Sequence, residues 1–299
     1  MKLWNHYYTP TKLSEASELL ERYAGNARVI AGGTDLLVDA KAEEGHTPFE
    51  ALVDITRIPD MQGIYDQDDA IYIGAGVSHT RIVQSDVLRK NAACLVEGCG
   101  VIGGPQVRNV ATLGGNVAHA LPAGDGTTAL VVLDAEAEVI FEGERKWVPI
   151  AGMYRGPGQS LLNPTKDLLI RFRFPKLGAG EGTAFDRIMR PQGVALPVLS
   201  CAVWVKLDAA REHFEQIRAC VAPAGPVPAR LETAEAAAAG QPVTPETIET
   251  IIQTALSALK LRTSKYRATA EYREEMAAVL LRRTLTIAAQ RAKESPQAR

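Results

Sequence analysis

One stretch decides the fold prediction: Val29-Ile30-Ala31-Gly32-Gly33-Thr34-Asp35-Leu36. An apolar run typical of a buried strand ends in two glycines, and Thr34 and Asp35 stand where a helix would begin. Glycines let bare backbone N–H groups converge on an anion such as a diphosphate, and Thr34 adds a hydroxyl donor. The stretch matches neither the Walker loop nor the G-x-G-x-x-G fingerprint. Alone, it is also compatible with a plain turn between a strand and a helix.

A second glycine pair lies further along, in Ala111-Thr112-Leu113-Gly114-Gly115-Asn116-Val117-Ala118-His119-Ala120-Leu121-Pro122-Ala123-Gly124-Asp125. Hydroxyl and amide side chains flank it, and His119 and Asp125 supply polar groups that suit a heterocycle or a ribityl chain. A glycine-rich packing loop and an exposed His119 are the alternatives. Two such loops in one chain argue against interpreting the first as a plain turn and the second as a packing loop.

Length, composition and charge limit the classes of protein to which this chain can belong. The 299 residues are enough for two domains, and a net charge of −2 gives no electrostatic reason to expect a nucleic-acid partner. No apolar run approaches the length of a membrane span. The first residues, 1–8, lack the features of a signal peptide, so the expected location is cytoplasmic. The four cysteines form no Cys-x-x-Cys pair, and with few histidines no metal site is predicted.

The hydrophobic pattern predicts strands and helices around a glycine-rich centre. Predicted helices cover about 14–23, 35–41, 245–261 and 271–293, and predicted strands about 27–31, 51–55, 70–75, 130–133, 138–141, 168–174, 196–207 and 217–222. Residues 99–125 are predicted to be irregular, and 175–182 is the best domain boundary. The last predicted helix has a face that is apolar except at Arg283. This face consists of Met276, Val279, Leu280, Arg283 and Ile287. This order of elements indicates α/β or α+β packing.

The two loops together resemble a known family. The first is similar to the A-G-G-T-D-L diphosphate loop, and the second to the T-x-G-G-N segment followed by A-x-x-x-D, of the FAD-binding subunits of the xanthine dehydrogenase and carbon monoxide dehydrogenase family of molybdenum hydroxylases. Residues 154–175 resemble the strand that follows the flavin loop in that family. Residues 263–273 resemble its C-terminal signature, in which small residues precede Tyr-Arg and a long helix.

The resemblance implies an α+β fold. It consists of a two-subdomain FAD-binding domain of the vanillyl-alcohol-oxidase (PCMH) type over 1–177, with subdomains of about 1–56 and 57–177. A C-terminal α+β domain of the CO dehydrogenase flavoprotein type follows over 183–290, and 291–299 is expected to be a tail.

The resemblance also implies which residues contact the cofactor. The adenosine and diphosphate would be lined by Arg28, Val29, Ile30, Ala31, Gly32, Gly33, Thr34, Asp35 and Leu36, with the backbone N–H groups of 31–35 as principal donors. Thr112, Gly115 and Asn116 would hold the diphosphate and ribityl region. Ile102 would pack beside the ring, His119 would lie near its edge, Asp125 would accept hydrogen bonds, and the Leu169 backbone would reach the isoalloxazine.

One position departs from the family pattern. Several members have a Lys near the flavin ring directly after the Phe of the strand that follows the linker, whereas here Asp186 follows Phe185. A cation there would stabilise the anionic reduced flavin, and a carboxylate would oppose it. The hypothesis is that Arg187 or Arg190 takes the role of that Lys. An Arg190→Ala protein with unaltered flavin potential and affinity would exclude Arg190. Asp186 pointing to solvent is the equally plain alternative.

The implied function is electron transfer through one non-covalent FAD. In the family a molybdopterin-binding large subunit oxidises the substrate, a small subunit with [2Fe-2S] clusters relays electrons, and the flavin delivers them to NAD or another acceptor. The chain has no obvious general base, nucleophile or metal site of its own. It also lacks the cysteine-bearing insertion by which hydroxybenzoyl-CoA reductases bind an additional cluster, so no cluster is predicted in this chain.

Two alternatives stay open. A self-sufficient flavin oxidase or dehydrogenase of the same fold would need a substrate base and often a covalent flavin link, for which His119 is the only histidine in the two loops. A scaffold subunit without flavin would be colourless and would refuse added FAD.

Overall fold

In the described part of the chain, helices pack against three larger sheets, and a fourth sheet is a two-stranded hairpin. The computed structural model describes residues 3–42, 49–190, 196–265 and 267–296. Tyr266, part of the C-terminal signature, and 297–299 of the predicted tail lie outside the described residues.

The N-terminal unit is a small parallel sheet. Strands β1 (His6–Tyr8), β2 (Ala27–Ile30) and β3 (Ala51–Asp54) pair in the order β1-β3-β2. Helix α1 (Leu13–Arg22) packs Ala16, Leu19 and Leu20 onto this sheet, and α2 (Leu36–Ala42) follows β2. The turn between β2 and α2 is the first glycine loop, at the carboxyl end of a parallel strand.

The second unit is an antiparallel sheet with a group of short helices. Its strands pair in the order β4-β5-β10-β6-β7, namely β4 (Ile64–Gln67), β5 (Ala70–Gly74), β6 (Glu136–Phe141), β7 (Glu144–Pro149) and β10 (Leu168–Pro175). A small hairpin joins β8 (Tyr154–Gly156) to β9 (Gln159–Ser160). The helices are α3 (His79–Gln84), α4 (Asp86–Asn91), α5 (Ala93–Gly100), α6 (Pro105–Val110), α7 (Leu113–Ala118) and α8 (Asp125–Val132).

The third unit is an antiparallel sheet covered by helices. Strands β11 (Glu181–Met189), β12 (Pro197–Leu207) and β13 (Phe214–Ala222) pair in sequence order. The helices are α9 (Glu232–Ala238), α10 (Pro245–Ala258) and α11 (Ala270–Glu294). Alternate side chains of the sheet pack on these helices, and Phe185, Ala202 and Trp204 join the core of the second unit instead. Burial on both faces explains why β12 is almost continuously apolar.

Polar contacts fasten the second unit to the third. Glu97 on α5 accepts hydrogen bonds from the Phe185 N–H at 2.8 Å and from Arg291 at 2.5 Å. The Cys94 N–H donates to the Thr183 hydroxyl at 3.2 Å. The first strand of the third unit is therefore bound directly to α5.

Two predictions about the elements are wrong. Residues 130–133 are the end of α8, not a strand, and every residue of α8 is buried, so the pattern lacks the polar face that would have indicated a helix. Residues 99–125 contain α6 and α7 rather than an irregular segment. Helix α11, predicted over about 271–293, spans Ala270–Glu294.

The buried face of α11 also differs from the prediction. Ile287 is 40% exposed, and the buried residues are Arg273, Ala277, Leu280, Leu281, Thr284, Leu285, Ala288, Ala289 and Ala292. Small residues line this face because the helix lies very close to β11, where a Cβ at Gly182 would overlap the Ala288 carbonyl oxygen. Hydrophobicity alone does not identify a face built from alanines.

Candidate functional site

The turn between β2 and α2 presents a row of backbone donors. Gly33 has a φ of +68°, which brings the chain out of the strand and into the helix. Among the described residues, no acceptor is hydrogen-bonded to the backbone N–H groups of 32–36; the Gly33 and Asp35 carbonyls accept from the first turn of α2. Successive free N–H groups at the start of a helix form an anion-binding concavity.

The second loop is the start of α7, and its polar groups are already engaged. Thr112 is the N-cap, and its hydroxyl accepts from the Gly115 N–H at 3.0 Å. Asn116 Oδ1 accepts from the Thr127 N–H at 3.2 Å, which ties α7 to α8. Gly114 allows close packing, because a Cβ there would lie 2.6 Å from the Ala75 carbonyl oxygen. Thr112, Gly115 and Asn116 thus have clear structural roles.

The two glycine loops meet. A Cβ at Gly32 would overlap the Val110 carbonyl oxygen, so the turn after β2 lies directly against the end of α6, just before the second loop. His119, at the end of α7, has its Nε2 3.9 Å from Asp35 Oδ1 of the first loop. The side chain of His119 is 33% exposed, so its ring borders the junction of the two loops from the solvent side. One site therefore contains residues of both loops.

Asp125 is a buried carboxylate at the start of α8. Its Oδ2 accepts from Arg187 Nη1 of β11 at 2.6 Å, and the two side chains are 3% and 7% exposed. Its Oδ1 has no hydrogen-bond partner among the described residues, and neither has Arg187 Nε. The Ser200 hydroxyl nearby donates to the Ala222 carbonyl at 3.2 Å. Burial raises the pKa of Asp125 to about 6, against the lowering influence of the Arg187 guanidinium.

Ile102 and Leu169 border the same region. Partly buried Ile102 follows α5, and its carbonyl accepts from Arg108 Nη1 at 3.1 Å. Leu169 is 7% exposed and pairs with Val139 beside a bulge in β10. At that bulge the Ala75 N–H donates to the Ile170 carbonyl, and the Ala75 carbonyl accepts from the Gly114 N–H, both at 2.9 Å. The bulge therefore adjoins the second loop.

The positions around Phe185 have distinct surroundings. Asp186 Oδ2 lies 3.3 Å from Arg283 Nη1 of α11, so its charge is balanced by an arginine at the protein surface. Arg187 is buried against Asp125, and Arg190 lies at the exposed end of β11. Arg187 therefore contacts a predicted site residue, Asp125.

One buried polar residue near the loops was missed in the sequence. His79 is 1% exposed, its N–H donates to the Ala111 carbonyl at 3.0 Å, and its Nδ1 has no partner among the described residues. Burial, followed by the nearby Arg108 charge, lowers the pKa of His79 to about 4, so the ring is neutral. No motif marks this position, because a lone histidine carries no spacing signal.

Two family models match the chain. Residues 2–177 match the FAD binding domain in molybdopterin dehydrogenase, and residues 183–288 match the CO dehydrogenase flavoprotein C-terminal domain. The boundary between the matches coincides with the linker that precedes the long strands of the third unit.

Curated relatives and solved structures cover nearly the whole chain. The xanthine dehydrogenase FAD-binding subunit of Escherichia coli O157:H7 is 28% identical, covering 94% of both chains. The carbon monoxide dehydrogenase medium chain of Hydrogenophaga pseudoflava is 28% identical, covering 94% of this chain and 96% of that one. A solved structure of carbon monoxide dehydrogenase from H. pseudoflava superposes with a TM-score of 0.88 at 27% identity, covering 97% of this chain and 99% of that one.

These matches confirm the family and the fold predicted from the glycine loops. The chain belongs to the family of FAD-binding domains of molybdopterin dehydrogenases and continues into a CO dehydrogenase flavoprotein C-terminal domain.

Proposed function

We propose that this chain is the flavin subunit that carries electrons out of a molybdenum hydroxylase. In this proposal a partner with [2Fe-2S] clusters reduces the flavin, after substrate oxidation at a molybdopterin-binding large subunit, and NAD or another acceptor removes the electrons. Relatives of the whole chain bear names of this kind, including an FAD-binding subunit and a medium chain. The cytoplasmic location and the domain limits stay predictions.

The observation that carries the proposal is that the first loop offers hydrogen-bond donors and Asp125, in the second loop, offers an acceptor. A dinucleotide such as FAD needs donors for a diphosphate and acceptors for ribityl and ring groups. The N–H groups of 32–36 are such donors and Oδ1 of buried Asp125 is such an acceptor, since none of them has a partner in the part of the chain that the structure describes. Buried polar atoms in native proteins nearly always have a partner. The residues present therefore fit the cofactor.

The first loop would bind the diphosphate. Its N–H groups from Ala31 to Asp35, together with the Thr34 hydroxyl, would donate to the phosphate oxygens, with the start of α2 behind them. Arg28, Val29, Ile30 and Leu36 would border the adenosine.

The second loop would act mainly through its backbone and its shape. The Gly115 N–H and Asn116 Oδ1 are used within the protein, so the proposed roles of Thr112, Gly115 and Asn116 are to hold α7 in place and to let the diphosphate and ribityl region approach closely. Ile102 and the Leu169 backbone would border the ring, and His119 its edge.

FAD supplies the redox chemistry, because the flavin exchanges electrons singly or in pairs. The protein's own residues bind it, exclude water from part of it and adjust its charge environment. Arg187 and Asp125 contribute opposite charges in a nearly dry environment, where electrostatic interactions are less screened than in water.

The experiment is to purify the affinity-tagged chain from its native cells and to determine its FAD, molybdenum and iron contents. The proposal predicts FAD in this chain, with molybdenum and iron in chains that co-purify with it. Anaerobic addition of NADH then tests whether NAD exchanges electrons with the flavin. Flavin in a chain that purifies alone and is reduced directly by an organic substrate would favour the stand-alone oxidase.

A further inference from the structure

The contact between Asp125 and Arg187 joins two parts of the chain. Asp125 begins α8 in the FAD-binding part, and Arg187 lies on β11 of the C-terminal part. A single charged hydrogen bond of 2.6 Å links them, and both side chains are buried. Two charges taken out of water are maintained only when they are paired and their remaining polar atoms are satisfied.

Each member of this pair has one atom without a partner among the described residues. Asp125 Oδ1 requires a hydrogen-bond donor, and Arg187 Nε requires an acceptor. A polyol hydroxyl can donate to Oδ1, and the cofactor of this family carries several such hydroxyls on its ribityl chain. The second guanidinium nitrogen, Nη2, is occupied by Met189 Sδ at 3.0 Å. Asp125 Oδ1 is therefore an acceptor that a cofactor hydroxyl can satisfy, beside the Ser200 hydroxyl, which is close enough to lower the pKa of Asp125.

Without Arg187 the carboxyl group would behave differently. Burial favours the protonated form of Asp125, and a protonated carboxyl is a donor rather than an acceptor only. Arg187 opposes this effect, and its hydrogen bond to Oδ2 leaves Oδ1 as the atom free to accept. The nearby Ser200 hydroxyl also lowers the pKa of Asp125, but less than Arg187 does, and it donates to the Ala222 carbonyl. Burial keeps the Cys99 thiol neutral.

We propose that Arg187 is a positioning residue of the flavin site: it orients the Asp125 carboxylate so that Oδ1 accepts a hydrogen bond from the cofactor, and it thereby links cofactor binding to the C-terminal domain. The inference rests on the proposed FAD binding. It differs from a direct role of Arg187 beside the ring, because Arg187 acts here through Asp125.

The experiment is a double-mutant cycle on FAD affinity with the full chain, in the complex in which it purifies. The variants are Asp125→Asn, Arg187→Met and the double variant, with Arg187→Lys as the conservative change. The matched control is Arg282→Met, because Arg282 is exposed and its ion pair, among the described residues, is with Glu249 at the surface. The dissociation constant for FAD and the unfolding temperature of the apoprotein are measured for each.

Asp125→Asn and Arg187→Met are each expected to weaken FAD binding at least tenfold. The double variant is expected to bind no more weakly than Asp125→Asn, since Arg187 has no effect once its target is neutral. Arg187→Lys keeps the charge and is expected to retain affinity to within about threefold. Arg282→Met leaves the affinity unchanged.

The unfolding temperature separates positioning from a merely structural role. Arg187→Met leaves the Asp125 charge buried and unpaired, which lowers the unfolding temperature. The double variant removes both charges and recovers much of that loss of stability. Recovery of stability without recovery of FAD affinity supports the inference. Additive losses of affinity, or full affinity in Arg187→Met, would overturn it. A parent chain that binds no FAD would contradict the proposed function instead.

Discussion

Gly32 is the residue at which the two loops touch, and it tolerates no side chain. Gly32→Ala would force the turn after β2 away from the Val110 carbonyl oxygen and spread the row of N–H groups. We expect the FAD dissociation constant to rise at least tenfold, which corresponds to about 1.4 kcal/mol. Fluorescence titration of apoprotein with FAD measures this.

Gly100→Ala is the matched control for Gly32→Ala. Gly100 ends α5, and a Cβ there would meet only Val83 at an ordinary 3.7 Å. Alanine in a helix is about 1 kcal/mol more favourable than glycine, so folding and FAD affinity should be maintained. Equal affinities for the Gly32 and Gly100 variants would show that the contact between the loops does not shape the site.

Asp125 makes FAD binding depend on pH. Since its pKa in the apoprotein is raised to about 6 and the cofactor requires the carboxylate as acceptor, binding releases a proton below that pH. The charged or titratable groups around it are Arg187 and the neutral Cys99 thiol. We expect FAD affinity to be constant above about pH 7 and to fall about tenfold per pH unit below about pH 6.

The stability of the apoprotein depends on pH with the opposite sign. A raised carboxyl pKa means that the folded state binds the proton more tightly, so this contribution to the free energy of unfolding is present at low pH and is lost as pH rises from 3.8 to about 6. Asp125→Asn removes both effects. If the Asn variant kept the parent's pH profile of FAD affinity, another group would be responsible.

At the residue scale, sequence located candidates but not their partners. Asp125 stands in a readable motif, whereas Arg187 lies 62 residues away on a strand of another domain, and their contact depends on how α8 meets β11. Likewise, the hydroxyl of Thr112 has the chemistry of a ligand but is the N-cap of α7. Residue type indicates what a side chain can do, and only the fold determines what it contacts.

At the scale of elements, α11 supports the C-terminal domain through a face of small residues and a few leucines. Leu281 is fully buried, whereas Ile287 is 40% exposed. Leu281→Ala is expected to lower the free energy of unfolding by about 2–5 kcal/mol, and Ile287→Ala by about 0.5 kcal/mol or less. Chemical denaturation of the two variants measures the difference. If the two variants lost similar free energies of unfolding, Ile287 would be part of the packed face of α11, as predicted from the sequence.

Apolar runs bounded by turn residues were predictable as strands, whereas the fully buried helix α8 was not predicted. Helix α1 and strands β2, β3 and β5 follow their predicted ranges within one or two residues. The helix has an amphipathic period, and the strands are short apolar runs bounded by turn residues. Helix α8 has no polar face, so its apolar end reads as a strand. Helices α6 and α7 lie in a glycine-rich segment whose glycines allow close packing rather than irregular structure.

For the whole molecule, the C-terminal domain is an integral part of the structure around the candidate site. Its sheet packs on helices with one face and joins the core of the FAD-binding part with the other. Among the described residues, no helix is long and apolar enough to cross a membrane. The family resemblance predicted the order and type of the domains. The hydrophobic patterns could not predict the contacts between the domains.

The measurement that tests the central claim most directly is an absorbance spectrum of the purified protein before and after heat denaturation and filtration. We predict flavin bands near roughly 370 and 450 nm that pass into the filtrate, as expected for non-covalent FAD. Colour that stays with the precipitate would contradict non-covalent binding and favour the oxidase with a covalent flavin. A colourless protein that binds no added FAD, even in complex with its partners, would contradict the account as a whole.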